Sequence, residues 1–194
     1  MDSNNKIYNL QSLKQILAGA KKVGLFGGSF YPAHIGHLEM SKYALDSLGL
    51  DYVIWLVSPQ NPLKPPYKTS LEDRSLYAAS IIDAPKILVS NIEQEIKSKY
   101  TYDTIEFFCR NFPEIAFTWM MGIDCLKTFH LWEHYQEFTN LVDIAILGRP
   151  GYENYLESTL SGKELLKNMN NRVIFCHNKM IDISSSAIRA KSNA

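Results

Sequence analysis

From Lys22 onward the chain alternates short, unbroken apolar runs with longer segments whose apolar residues recur every three or four positions. The runs predict strands at 23–26, 52–57, 87–90, 116–121, 144–147 and 173–175, and the periodic segments predict helices near 36–48, 70–82, 102–111, 131–139 and 153–168. Strands that are apolar on both faces, each followed by a helix, belong to a parallel sheet covered on both sides. The pattern therefore predicts an α/β fold, a doubly wound parallel sheet in a single domain. In such sheets a ligand sits outside the carboxyl ends of the strands, where the strand order reverses. Ahead of this domain, Ile7, Leu10, Leu13, Ile16 and Leu17 share one helical face. Residues 7–18 are thus expected as an amphipathic helix, with 1–21 an N-terminal extension whose role is packing and 22–194 the main domain. No repeat or linker interrupts the chain, and SPQNPLKPPYK is short enough for a single loop.

Composition narrows the function classes. A chain of 194 residues with 46% hydrophobic and 12% aromatic residues can bury a full core without disulfide or metal staples. Lys plus Arg is 20 and Asp plus Glu is 20, so there is no basic excess for a long nucleic acid, while a small anion in a local pocket stays open. Cys109, Cys125 and Cys176 form no CxxC pair, which fits a reducing compartment. The first residues lack a secretory pattern, and no apolar run approaches the roughly 20 residues of a membrane span. A cytoplasmic protein without membrane or nucleic-acid partners is expected; a homo-oligomer is compatible with all of this.

The first predicted strand runs into GGSFYPAHIGH. Gly27 and Gly28 let a ligand approach the backbone, and the helix that follows offers unpaired N–H groups to an anion. Neither GxGxxG nor GxxxxGK(S/T) occurs here. His34 and His37 are three apart, so if the helix has started by His34 they lie on one face and can donate to one phosphate. Taken alone, the glycines make a turn and the histidines cap or decorate a helix; the strand, double glycine and Pro32 ahead of them tip the balance to a phosphate cradle. HIGH preceded by GGSF resembles the nucleotidyltransferase superfamily, whose members share a (S/T)xGH or HxGH phosphate motif, although class I aminoacyl-tRNA synthetases carry HxGH as well. The resemblance implies a Rossmann-like nucleotidyltransferase fold with Gly27, Gly28, Ser29, Phe30, His34, Gly36 and His37 at ATP.

Near the other end stands DISSSAIRAKSNA. Ser184, Ser185 and Ser186 suit a helix start, and Arg189 follows about one turn on, so hydroxyls, amides and a guanidinium fork make a second anion site. A plain capped terminal helix is the bland alternative. Paired with GGSFYPAHIGH, ISSSAIR resembles the ISSTxIR signature of bacterial nicotinate-nucleotide adenylyltransferases and of pantetheine-phosphate adenylyltransferases. The middle of the chain separates these relatives. SPQNPLKPP resembles the family's proline-rich loop and implies Lys64 at the mononucleotide phosphate. KYTYDTIEF, WMMGIDCLKTFHLWEHY and LGRPG resemble the (S/R)YTxDT, GxDxLxxFxxW and glycine-proline segments of the nicotinate enzymes.

That family resemblance implies transfer of an adenylyl group from ATP to nicotinate mononucleotide, giving deamido-NAD and pyrophosphate, with Mg²⁺ held mainly by the ATP phosphates and water. It implies Gly122 and Asp124 on the ATP side, and Thr101, Thr104 and Trp132 on the mononucleotide side. Trp132 suits a cationic pyridinium by stacking, and donors at Thr101 and Thr104 suit a carboxylate over a carboxamide. From residue type alone a core position is the favoured reading of Trp132, and Asp124 can also be an N-cap of the turn that follows it. His34, His37 and Arg189 are the expected catalytic groups, and the nucleophile, a phosphate monoester, needs no general base. Tyr31 stands where relatives usually carry Asp or Asn, Leu63 where they carry His, and only five residues follow Arg189. HLWEH, residues 130–134, matches the HxxEH zinc-protease pattern, yet no third ligand is nominated. Nicotinamide mononucleotide or pantetheine phosphate as acceptor, or a non-catalytic nucleotide-binding module, are the alternatives.

Overall fold

The described strands, β1 (Lys22–Gly28), β2 (Tyr52–Val57), β3 (Ile87–Ser90), β4 (Ala116–Gly122), β5 (Asp143–Leu147) and β6 (Val173–Cys176), form one sheet in the order β3-β2-β1-β4-β5-β6. All pairings are parallel, with Leu25 opposite Ile54 on one side and Trp119 on the other. The computed structural model describes residues 6–60, 66–97, 100–148, 158, 159, 162, 163, 173–176 and 183–192.

The unbroken apolar runs follow from burial on both faces. Along β2, Ile54 and Leu56 point into one core layer with Leu25, Trp119, Met121, Ile105 and Phe108, while Val53, Trp55 and Val57 point into the other with Phe26, Met120, Leu38 and Ala78. Removing such side chains from water stabilises by about 1.5–3 kcal/mol each. The covering helices are α1 (Leu10–Ile16), α2 (Ile35–Ser47), α3 (Leu71–Ser80), α4 (Ile92–Glu95), α5 (Thr101–Asn111) and α6 (Tyr135–Leu141), with α7 (Ser185–Ser192) at the end of the chain. Leu13 and Leu17 are fully buried in the same layer as Ile54 and Leu88, so α1 is packed into the core.

Two predicted helices differ from those observed. α1 begins at Leu10 because Asn9 caps it, its side chain accepting from the Ser12 N–H at 2.9 Å. Before that cap the chain is extended: Ile7 bridges Val89, and the Tyr8 N–H donates to the Val89 carbonyl at 2.8 Å. The Ser90 hydroxyl donates to the Tyr8 carbonyl at 2.6 Å. This strap covers the outer edge of β3, an edge that would otherwise offer unpaired backbone groups to another chain. Over 131–139 the expected helix is broken, since Phe129–Leu131 is a 3₁₀ turn and His134 takes a left-handed φ of 54° before α6 starts at Tyr135. The helix expected at 153–168 lies outside the described residues apart from 158, 159, 162 and 163. No described helix is long and apolar enough to cross a membrane.

Candidate active site

The strand order reverses between β1 and β4, and a cleft of about 460 Å³ opens at their carboxyl ends. From β1 and the turn after it, Gly27, Gly28, Ser29 and Phe30 line this cleft. His34 and His37 line it from the start of α2, Gly122 and Asp124 from the end of β4, and Ser184, Ser185, Ser186 and Arg189 from the C-terminal segment. Two glycines make the close approach possible. A Cβ on Gly27 would collide with the Trp119 ring of β4, and one on Gly36 would stand 2.9 Å from both Ile183 Cγ2 and His34 Nδ1. Gly36 therefore lies beneath the cleft wall and lets the C-terminal segment seat against the start of α2.

His37 is held from several sides. The His34 main-chain N–H donates to His37 Nδ1 at 3.2 Å, an arrangement that assigns the neutral ring's proton to Nε2 and makes that nitrogen a donor. The His34 and His37 rings lie 3.8 Å apart between centroids, and Phe30 packs 4.9 Å from His37. Phe30 is buried, stacked on Trp55 at 5.0 Å, and adopts a left-handed φ of 43°, an uncommon conformation for a bulky residue that the surrounding packing has to maintain. Trp55 Nε1 donates to Ser41 Oγ at 2.7 Å, and Ser41 Oγ donates to the His37 carbonyl at 2.9 Å. A buried relay thus ties the first turn of α2 to the centre of the sheet.

The opposite wall is the start of α7. Ser184 caps it, its hydroxyl accepting from the Ala187 N–H at 3.2 Å. Ser185 Oγ donates to the Pro32 carbonyl at 2.9 Å, so the two ends of the chain meet across the cleft. Arg189 donates to the Tyr31 carbonyl, and through Nη2 to Ser186 Oγ at 3.1 Å.

Tyr31, which the sequence marked only as a departure from its relatives, also lines the cleft, as do Met40, Pro66, Tyr67 and Cys125, to which no motif assigned a site role. Behind it Arg74, on α3, is only 3% exposed and donates to the carbonyls of Ser29 at 2.6 Å, Ser58 at 2.9 Å and Pro59 at 3.1 Å. Its guanidinium sits 4.5 Å from the centre of the Tyr67 ring. Burial pulls its pKa below the usual value, and no described carboxylate forms an ion pair with it. One cation therefore clamps the loops after β1 and β2. The only hint in the sequence is an Arg on the face that also carries Ala78, four residues on.

On the mononucleotide side, Lys64 lies outside the described residues. Thr101 is half-buried at the start of α5. Thr104 is placed differently from expectation: it is fully buried, with its hydroxyl 3.2 Å from Glu93 Oε1 and 3.4 Å from the Tyr100 carbonyl. A hydroxyl so engaged supports Glu93 rather than meeting a ligand. Glu93 is itself buried, and burial pushes its carboxyl up to about 7 against the opposing hydrogen bonds of Thr104 and Ser58. Trp132 is half-buried, packed edge-on against Trp119 and Phe129 at 6.4 and 5.2 Å between centroids, so part of its indole belongs to the core layer and part faces outward.

His130 and His134 do not form a helical zinc pair, because the chain turns out of the 3₁₀ segment before α6 and the i,i+4 face never forms. Among the described residues no group of three His, Cys, Asp or Glu side chains could hold a metal. Asp124 is the carboxylate among the cleft-lining residues.

The cytidylyltransferase-like family matches residues 25–191. Over 132 residues the chain is 45% identical to the "Probable nicotinate-nucleotide adenylyltransferase" of Methylorubrum extorquens, covering 68% of this chain and 71% of that protein. Over 181 residues it is 36% identical to the protein of the same name from Cereibacter sphaeroides, covering 87% and 96%. The fold is shared with the Plasmodium falciparum nicotinic acid mononucleotide adenylyltransferase complexed with NaAD, at a TM-score of 0.71 and 18% identity over 88% of this chain and 83% of that one.

Proposed function

The chain belongs to the cytidylyltransferase-like family and, within it, to the nicotinate-nucleotide adenylyltransferases, and on that footing we propose how its cleft works. The protein transfers the adenylyl group of ATP to nicotinate mononucleotide, forming deamido-NAD and pyrophosphate in NAD biosynthesis. A phosphate oxygen of the mononucleotide attacks the α-phosphorus, the bond from that phosphorus to the α,β-bridging oxygen breaks, and pyrophosphate leaves with the electron pair. The attacking oxygen is already ionised at neutral pH, since the second pKa of a phosphate monoester is about 6. No side chain has to remove a proton. What the protein supplies is alignment and charge.

The observation that carries this reading is the meeting of the two terminal motifs at the sheet's reversal point, with His37 and Arg189 on facing walls of one cleft. In this reading His34, His37 and Arg189 take the triphosphate, with the α7 start and the hydroxyls of Ser184, Ser185 and Ser186 giving further donors. His37, held as an Nε2 donor, provides a neutral hydrogen bond where charge develops. Gly27 and Gly28 line the cleft on the ATP side, their bare positions facing the Trp119 and Phe30 rings, and Asp124 accepts from the ribose hydroxyls. Lys64, Thr101 and the outward part of Trp132 form the acceptor side. Among the described cleft residues Asp124 is the carboxylate and no acidic cluster stands, a donor set that fits Mg²⁺ held mainly by the ATP phosphates and water, where it would supply neutralising charge. The cytoplasm is the compartment we assign, in keeping with the free thiol of Cys109. Pyrophosphate release with Mg-ATP and, in turn, nicotinate mononucleotide, nicotinamide mononucleotide and pantetheine phosphate tests the assignment; release with the nicotinate acceptor and much less with the others is expected.

A further inference from the structure

Four side chains at the cleft and just behind it stack in the order cation, ring, ring, cation. The Arg189 guanidinium lies 5.0 Å from the centre of the Tyr31 ring. Tyr31 meets Tyr67 at 5.4 Å between centroids with a tilt of 53°, and Tyr67 carries the Arg74 guanidinium at 4.5 Å. Arg74 is fixed by three carbonyls of the loops after β1 and β2. The ladder therefore runs from a rigid, buried anchor to the one arginine that enters the cleft from α7.

We infer that Tyr31 is a positioning residue for the triphosphate, its ring holding the Arg189 guanidinium in register while Tyr67 and Arg74 brace that ring. A guanidinium has five N–H donors. Two of them reach the Tyr31 carbonyl and Ser186 Oγ, so contact with the ring through the π face leaves the remaining N–H edge for phosphate oxygens. A ring is suited to this task in a way that a carboxylate is not. A carboxylate would hold Arg189 equally well, but it would cancel much of the charge and compete with phosphate for the same donors, whereas an aromatic face orients the cation and leaves its charge available. The side chain can also be changed without removing the backbone bond, because the contact from Arg189 to position 31 includes the main-chain carbonyl. Replacing the ring isolates its orienting effect.

The inference rests on the reading of Arg189 as a triphosphate ligand, and a double-mutant cycle separates the two. Steady-state pyrophosphate release is measured for the wild type, Tyr31→Phe, Tyr31→Leu, Arg189→Met and the Tyr31→Leu/Arg189→Met double variant, with Tyr31→Met standing in should the leucine variant not fold. Tyr31→Phe is expected to stay within about twofold of wild type. Tyr31→Leu is expected to raise the KM for ATP about three- to thirtyfold with the KM for the mononucleotide nearly unchanged, a split that mere instability would not produce. The double variant should then be no worse than Arg189→Met alone. An unchanged ATP KM in Tyr31→Leu, or losses that multiply in the double variant, would overturn the positioning role while leaving the site intact. An Arg189→Met enzyme as active as wild type would overturn the triphosphate reading and this inference together.

Discussion

At the scale of single residues, His37 presents an Nε2 donor fixed by one main-chain hydrogen bond at Nδ1, at the end of the dense local pattern GGSFYPAHIGH. His37→Ala should lower kcat by about a hundredfold or more, as loss of a preorganised donor does elsewhere, with the fold kept and the thermal midpoint lowered only by the lost ring packing and helix-start hydrogen bond; near-normal turnover would remove it from the phosphate site. Thr104 and Arg74 were not legible, since nothing in a helical pattern distinguishes a hydroxyl facing a ligand from one facing a buried carboxylate, or a surface Arg from a buried clamp. Glu93, which Thr104 serves, leads to a stability prediction. Its folded pKa of about 7 is above the ordinary 4.5, so the folded state holds a proton that the unfolded chain has released. The stability from the protonated form is full below the unfolded pKa and is lost as pH rises through about 7. Glu93→Gln should therefore remove this slope and stabilise the protein at pH 8 by up to about 3 kcal/mol, read from urea midpoints at pH 5 and pH 8. Parallel pH slopes in both proteins would contradict the buried-acid account.

At the scale of elements, the strands were the most legible part because burial on both faces writes an unbroken apolar run, and the observed bounds extend the expected ones by only a residue or two. The helix ends were less legible. Asn9 caps α1 three residues into the apolar pattern, and the residues before it pair with β3 instead; the left-handed turn at His134 interrupts what reads as one helix. Contacts between elements far apart in the chain were not legible at all. Gly36 is the clearest example, a glycine in the HIGH motif whose missing side chain is filled by Ile183 from the α7 approach. Gly36→Ala should push α7 off the start of α2, raising the KM for ATP and destabilising the fold by about 1–3 kcal/mol. Kinetics and a thermal melt on the same preparation check both halves. A variant that loses stability but keeps its KM would mean that α7 does not need this seat.

At the scale of the whole molecule, 20 basic and 20 acidic side chains cancel, so nothing in the net charge announces an enzyme of polyphosphates. The fold resolves that by concentration: the reversal of strand order between β1 and β4 brings His34, His37 and Arg189 to one cleft, with Arg74 buried behind it. The global topology was legible from the alternation of runs and periodic segments, and the chemistry from two motifs that only folding brings together. The most direct measurement is pyrophosphate release with Mg-ATP and a matched panel of acceptors. A nicotinate mononucleotide rate that exceeds the nicotinamide mononucleotide and pantetheine phosphate rates, with deamido-NAD formed one for one with pyrophosphate, is the predicted result. No release with any acceptor, or release that favours pantetheine phosphate, would contradict it.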